Sequence, residues 1–481
     1  MDKYDLFVFS ELTLQLILYQ GVGFSMEAFS NLISVVNSFV WGPWMLVFLV
    51  GTGIFLTLRL GFLQFTQLPY ALKLAFSPAS QDKKSEGDIS HFQALMTALA
   101  ATIGTGNIVG VATAVVLGGP GAVFWMWITA IFGMATKYGE AVLAIKYRIT
   151  DENGEMAGGP MYYIERGLGW KWLAWLFALF GAVAAFGIGN LVQTNAVAGN
   201  MSDTFNISPV ITGIILAVLT ALVVLGGIKS IGKATSVIVP FMAVFYILAG
   251  LVIIFMNLNL FPHALALICT EAFTAKAGFG ALIGTTIRFG VARGVFSNEA
   301  GLGSAPIAAA AAKTDHPVRQ GLVSMTGTFL DTIIVCSVTG ISLVMAQLYI
   351  GIDKAQAAAL TSRTFEFFLP NIGSILVTIA LIFFAYSTVL GWSYYGEKCF
   401  YYLVGKKGIM LYRIAFCLTA FIGANLKLGL VWDIADTFNG AMAIPNLIAL
   451  LALSGVIAAE TKDFKKLRME EIKQGKTSYS A

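Results

Sequence analysis

Apolar residues run along most of this chain in blocks of about 20, and blocks of that length read as membrane-spanning helices. Eleven are read from the pattern: 41–60, 92–117, 122–145, 173–198, 209–225, 235–256, 279–312, 322–350, 371–398, 408–424 and 431–458. A polar loop through Ser90 follows the first. Two blocks are interrupted. Gly104, Thr105, Gly106 and Asn107 sit in the middle of one, and the run Val295 to Gly303 (VFSNEAGLG) breaks the other. Glycine lets a backbone leave the helix, and lipid offers the freed N–H and C=O groups no partner. Such a break therefore belongs where it lines a cavity, a ligand site or an ion site. Two broken spans at corresponding places in two halves point to a solute-binding site between them.

After the leading span at 37–60 and the loop 61–91, the other ten divide into five and five, over 92–258 and 259–458. A broken helix leads each half. An odd number of spans per half gives the halves opposite orientations, so the fold class expected is all-α, a five-plus-five inverted repeat with one extra leading helix. Residues 1–36 form an N-terminal segment whose apolar part, 6–24, carries Glu11, Thr13, Gln15 and Gln20. An interfacial helix is the favoured reading there, with a twelfth span or a leader as alternatives. The tail, 459–481, reads as a solvated end.

Composition narrows the class. Hydrophobic residues make up 57% and charged residues 12% of the 481, against about 25% charged in a soluble domain, and the mean hydropathy is +0.79. No GxxxxGK[ST] phosphate loop occurs, which argues against an ATP-driven pump. Cys269, Cys336, Cys399 and Cys417 have no paired spacing, and His91, His263 and His316 are scattered, so neither disulfides, metal centres nor an enzyme are implied. With eleven spans, 21 of the 30 Lys and Arg fall on one side and five on the other. That bias makes the first side cytoplasmic, places the C-terminus there and the N-terminus outside, and fits a bacterial-type inner (plasma) membrane. Nothing points to nucleic acid, to a cofactor or to an assembly larger than a monomer; the lipid bilayer is the expected surrounding.

Several long strings resemble one family. GTGNIVGVATA, Gly118 to Glu140 (GGPGAVFWMWITAIFGMATKYGE), Gly158 to Gly169 (GGPMYYIERGLG) and Arg288 to Gly321 are similar to the alanine or glycine:cation symporter family. So are FLDTIIVCSVTG and STVLGWSYYGEK. That family lies in the amino acid–polyamine–cation superfamily. The resemblance implies the leucine-transporter fold with an extra leading helix, and sodium-coupled uptake of alanine or glycine, with glutamine in some members.

A zwitterion entering a low-dielectric cavity needs both charges matched. Half-helix N–H groups suit a carboxylate and unwound carbonyls an ammonium. The carboxylate is assigned to the backbone of Gly104, Thr105 and Gly106, with the Thr102 and Asn107 side chains at hand, and the ammonium to carbonyls near Phe296 and Ser297. Close helix packing is the other use of such glycines. Gln193 is read as a substrate contact, with Asn190 and Asn195 as alternatives and helix–helix bonding as the plain option. Trp392, like Phe296, would cap the cavity and favour small side chains. Aligning GTGN on the implied fold points to a sodium site of the Ala100 and Ile103 carbonyls with the Ser387 and Thr388 hydroxyls; backbone back-bonding is the competing use of that Ser-Thr pair.

Arg288, Arg293, Glu299 and Asp331 are charges at membrane depth and so functional suspects. Arg293 and Glu299 flank the second break as a prospective gate or brace, and Asp331 is a prospective holder of Arg288 or Arg293. Two rival readings stay open: an uncoupled carrier of the same fold, and proton coupling through Glu299.

Overall fold

The computed structural model describes residues 28–82, 84–273, 284–353, 356–426 and 429–474. The segment 6–24 and the first residues of the block at 279–312 lie outside them. Among the described residues eight helices are long and apolar enough to cross a membrane: Ala28–Arg59, Gly121–Lys146, Lys171–Phe205, Gly227–Met256, Pro317–Ala346, Gly373–Val404, Lys406–Asn425 and Asp433–Ala452. Pro209–Val224 is a shorter apolar helix. It turns Val210, Ile211, Ile214, Ile215, Val218, Leu219 and Leu222 outward, as lipid rather than water would reward.

Both predicted breaks are present. His91–Thr102 and Gly106–Gly118 meet at a 52° bend. The first piece starts on a capping box, Ser90 Oγ accepting from Gln93 N at 3.2 Å while Ser90 N donates to Gln93 Oε1 at 3.1 Å. After Ile103 the chain restarts as a π-helical turn, Gly106–Gly110, leading into Val111–Gly118. The second piece runs Thr285–Asn298, opens over Glu299 to Ser304, and resumes as Ala305–Ala309. Three further π-helical turns, Ile164–Leu168, Gly187–Leu191 and Phe329–Cys336, occur; such turns mark functional regions often.

Several expectations need correction. Loop 61–91 holds two helices, Leu63–Thr66 and Leu68–Phe76, and the latter buries Ala71, Leu74 and Ala75 against Pro317–Thr328. The last span ends near Ala452, and a separate helix, Ser454–Lys473, takes up most of the tail read as solvated. Its apolar face buries Ile457 and Phe464. Thr461 meets Tyr138 at 2.7 Å, and Glu460 and Glu471 pair with Lys146 and Arg319. The sparse apolar residues of that tail recur at helical spacing, a signal hidden by its surrounding charges. One two-stranded hairpin, Ile149–Thr150 with Met156–Ala157, interrupts the all-helical pattern.

Candidate functional site

Between the two breaks lies a tight cavity of about 20 Å³. Ala101, Thr102, Gly104, Thr105, Gly106, Ile188, Gln193, Phe296, Glu299, Thr388, Trp392 and Asn439 line it. Seven of the nine residues assigned to substrate from sequence are among them. Asn107 and Ser297 stand behind the wall.

The first break presents backbone. The half-helix beginning at Gly106 has no side-chain cap and starts at the positive end of its dipole. Gly104 is irreplaceable for a steric reason: a Cβ there would lie 2.5 Å from Thr388 Oγ1 and 3.5 Å from Gln193 Oε1. Across the cavity stand acceptors. Gln193 donates through Nε2 to the Ile188 carbonyl at 3.0 Å, which fixes its amide and leaves Oε1 buried without a partner. Asn439 Oδ1 is likewise buried and unpartnered among the described residues. Glu299 holds its carboxylate at the cavity edge, accepting from Trp392 Nε1 at 3.0 Å and from Ser304 Oγ at 2.6 Å. Orphaned buried acceptors are costly and rare in native interiors. A cationic donor entering the cavity would satisfy them.

Beside the first break two hydroxyls approach two carbonyls. Ser387 Oγ lies 3.4 Å from the Ala100 carbonyl and Thr388 Oγ1 3.5 Å from that of Ile103. Both hydroxyls also donate to Phe384 O at 2.9 Å, so the back-bonding use of the pair is present. Oxygens about 3.4 Å apart are what a hard cation held about 2.4 Å from each would need.

The charged residues are arranged differently from the sequence expectation. Asp331 holds neither arginine. It accepts from Asn107 Nδ2 at 2.7 Å, Ser297 Oγ at 2.9 Å and Thr332 Oγ1 at 2.7 Å, while Asn107 Oδ1 accepts from Gly104 N at 2.9 Å. Asp331 thus ties the two broken helices to the Pro317–Ala346 helix, which is why Asn107 and Ser297 face away from the cavity. Arg293 does not pair with Glu299: its guanidinium sits over the Phe296 ring at 5.6 Å and borders a larger vestibule, about 220 Å³, with Arg288, Asn37, Trp41 and Asp436. Phe296 is the partition shared by vestibule and cavity. Asn190 and Asn195 serve as helix braces, donating to Phe416 O and to Gly423 O and Leu426 O.

Asn439, Glu140 and Asn446 escaped the sequence reading. Glu140 Oε1 accepts from the N–H of Gly301 at 3.1 Å, of Gly303 at 3.2 Å and from Asn446 Nδ2 at 2.7 Å. Asn446 also donates to the Gly301 carbonyl at 2.9 Å, and Tyr163 donates to Asn446 Oδ1. Gly301 and Gly303 adopt φ of +91° and +83°, which only glycine takes cheaply. An intramembrane Glu in a string otherwise rich in Ala and Gly was the available signal.

Comparison with known proteins follows this geometry. A sequence model of the sodium:alanine symporter family matches residues 26–478. The sodium/alanine symporter AgcS of Methanococcus maripaludis is 68% identical over 451 residues, covering 92% of this chain and 99% of the relative. The probable sodium/glutamine symporter GlnT of Bacillus subtilis is 38% identical over 92% of this chain and 91% of its own length. Among solved structures, MhsT in complex with L-phenylalanine superposes with a TM-score of 0.56 at 14% identity, over 78% of this chain and 93% of MhsT, a likeness of the leucine-transporter fold. On this evidence the chain is a multi-pass membrane transporter and belongs to the sodium:alanine symporter family.

Proposed function

We propose that this chain carries a small neutral amino acid, alanine or glycine, into the cell together with sodium by alternating access. The observation that carries the reading is the cavity between the breaks. The Thr105 and Gly106 backbone N–H groups suit a carboxylate, that of Gly104 being held by Asn107, and Gln193 Oε1, Asn439 Oδ1 and Glu299 suit an ammonium. Phe296 and Trp392 leave room for little beyond a methyl side chain. Sodium is assigned to the Ala100 and Ile103 carbonyls with Ser387 and Thr388, beside the carboxylate pocket, so each ligand strengthens the other's site. Thr102 and Thr105 complete the wall; Asn107 and Ser297 act through Asp331 rather than by touching substrate. Arg288 and Arg293 line the entrance.

The architecture we read is eleven spans: the eight long helices, the two broken ones and Pro209–Val224, with five spans after the leader inverted against the next five. The face carrying Lys146, Lys313 and Lys398 is cytoplasmic, the C-terminal helix included, and the vestibule opens outward. The membrane is the plasma membrane and the working unit one chain. Phe296 closes the outer approach in this arrangement, and rocking of the broken helices would open the opposite side.

Radiolabelled alanine uptake into proteoliposomes, with and without an inward sodium gradient and competed by a panel of amino acids, tests this. Sodium-stimulated uptake competed by alanine and glycine is expected. Uptake indifferent to sodium would leave the uncoupled carrier instead. The name of the 38% identical relative favours glutamine as a second substrate class, and effective competition by glutamine would establish it. Retained sodium-driven uptake in Glu299→Gln would exclude proton coupling through that carboxylate.

A further inference from the structure

Lys137 stands in the middle of the Gly121–Lys146 helix, 3% exposed, and its Nζ has no hydrogen-bond partner among the described residues. It borders a second small cavity together with Leu99, Thr102, Asn298, Ala305 and Ser324. Thr102 is common to this cavity and to the substrate cavity. A desolvated ammonium without acceptors is among the costliest groups to bury. Its surroundings say what compensates it. Thr102 and Asn298 are the last residues of the two half-helices His91–Thr102 and Thr285–Asn298. Both therefore turn their negative, carbonyl-bearing ends toward this region. Glu140, Glu299 and Asp331, from three different elements, are the charged groups within its electrostatic reach.

Two converging helix C-termini create demand for positive charge on both flanks of the first break. One flank is the cluster of Ala100, Ile103, Ser387 and Thr388, built of neutral oxygens and open to an exchangeable ion. The other flank carries the Thr102, Asn298 and Ser324 side chains around a small void, and there the amine of Lys137 borders them. We infer that Lys137 is a tethered cation that occupies the second positive position permanently, so that the transporter binds one sodium ion per amino acid. The lysine touches neither substrate nor sodium. It is a positioning residue: it holds the ends of the two broken helices at the spacing in which the cavity is formed, and it sets the coupling ratio. This inference rests on the sodium-coupled reading above.

The test uses the full-length protein in proteoliposomes. At zero membrane potential, a tenfold sodium gradient should balance an opposing alanine gradient of about tenfold for one sodium and about a hundredfold for two. The expected balance is tenfold; a hundredfold balance in the unaltered protein overturns the inference outright. Lys137→Met, which keeps the volume and removes the charge, should steepen the sodium dependence of alanine uptake from first order toward second order. Lys137→Arg should keep first order. A Lys137→Met protein with unchanged order and unchanged sodium half-saturation also overturns it. If Lys137→Met does not fold, the gradient balance of the unaltered protein and the Arg variant decide. Absence of any sodium-dependent alanine uptake in the unaltered protein would instead strike the functional reading, a distinguishable failure.

Discussion

The two broken helices solve the same problem in opposite ways. At the first, the chain leaves the helix for about three residues, and the exposed backbone at Gly104 to Gly106 faces a cavity. At the second, six residues open, and side chains fill the vacancy: Glu140 and Asn446 bind the Gly301 and Gly303 peptides, and Glu299 folds back onto Ser304. Freed backbone groups inside a membrane protein must be satisfied by something. The second break satisfies them from within the protein and is a rigid frame. The first is only partly satisfied in that way, Asn107 holding the Gly104 N–H, and its remaining backbone faces the cavity. That division predicts that substitutions at the second break damage the fold and transport together, whereas those at the first damage binding selectively.

The largest effect expected is from Glu140→Ala. It strands two buried peptide N–H groups and the Asn446 amide, each worth about 1–3 kcal/mol when unsatisfied. Uptake should fall to background and the melting temperature of the purified protein should drop by several degrees. Gly104→Ala comes next and is the sharper probe. Its Cβ collides with Thr388 Oγ1, so alanine affinity in equilibrium binding should fall by about a hundredfold, near 2.7 kcal/mol, with melting little changed. If Gly104→Ala unfolds the protein while Glu140→Ala merely weakens binding, the contrast between the breaks is reversed. Replacing both Ser387 and Thr388 by Ala should raise the sodium half-saturation by about tenfold or more, each hydroxyl contributing about 1 kcal/mol. Trp392→Phe removes the bond to Glu299 and opens space above the cavity. A loss of about tenfold for alanine is expected, with relatively better competition by amino acids one or two methylenes larger, a change worth about 1–3 kcal/mol. Asp463→Asn, far from both breaks and paired with Lys466 in solvent, should cost under about 1 kcal/mol, lower the melting temperature by about 1–2 °C and leave uptake as it was.

Much of this was legible in the chain. Glycine pairs inside apolar blocks mark where a helix cannot continue, and a break at membrane depth has few uses, so both breaks were located by local rules alone. The identity of Gln193, Phe296 and Trp392 as cavity walls came with the family resemblance, and the geometry brings all three together. What local rules could not supply was pairing between distant elements. Asn107 and Ser297 looked like substrate contacts because they adjoin the breaks, yet a carboxylate over 200 residues from Asn107 turns both away. Arg293 and Glu299 looked like partners because they are near in sequence. The αL turn at Glu299, φ +56°, swings its carboxylate toward Trp392 instead. Glu140 was passed over because its only signal was its charge; its function depends on where Gly301 and Asn446 arrive in space.

The most direct test of the gripping role of the first break is equilibrium binding of radiolabelled alanine to the purified protein as sodium is titrated. Alanine affinity should rise with sodium, and the rise should vanish when Ser387 and Thr388 are both Ala. Equal alanine affinity with and without sodium in the unaltered protein would contradict a shared site of zwitterion and ion at that break.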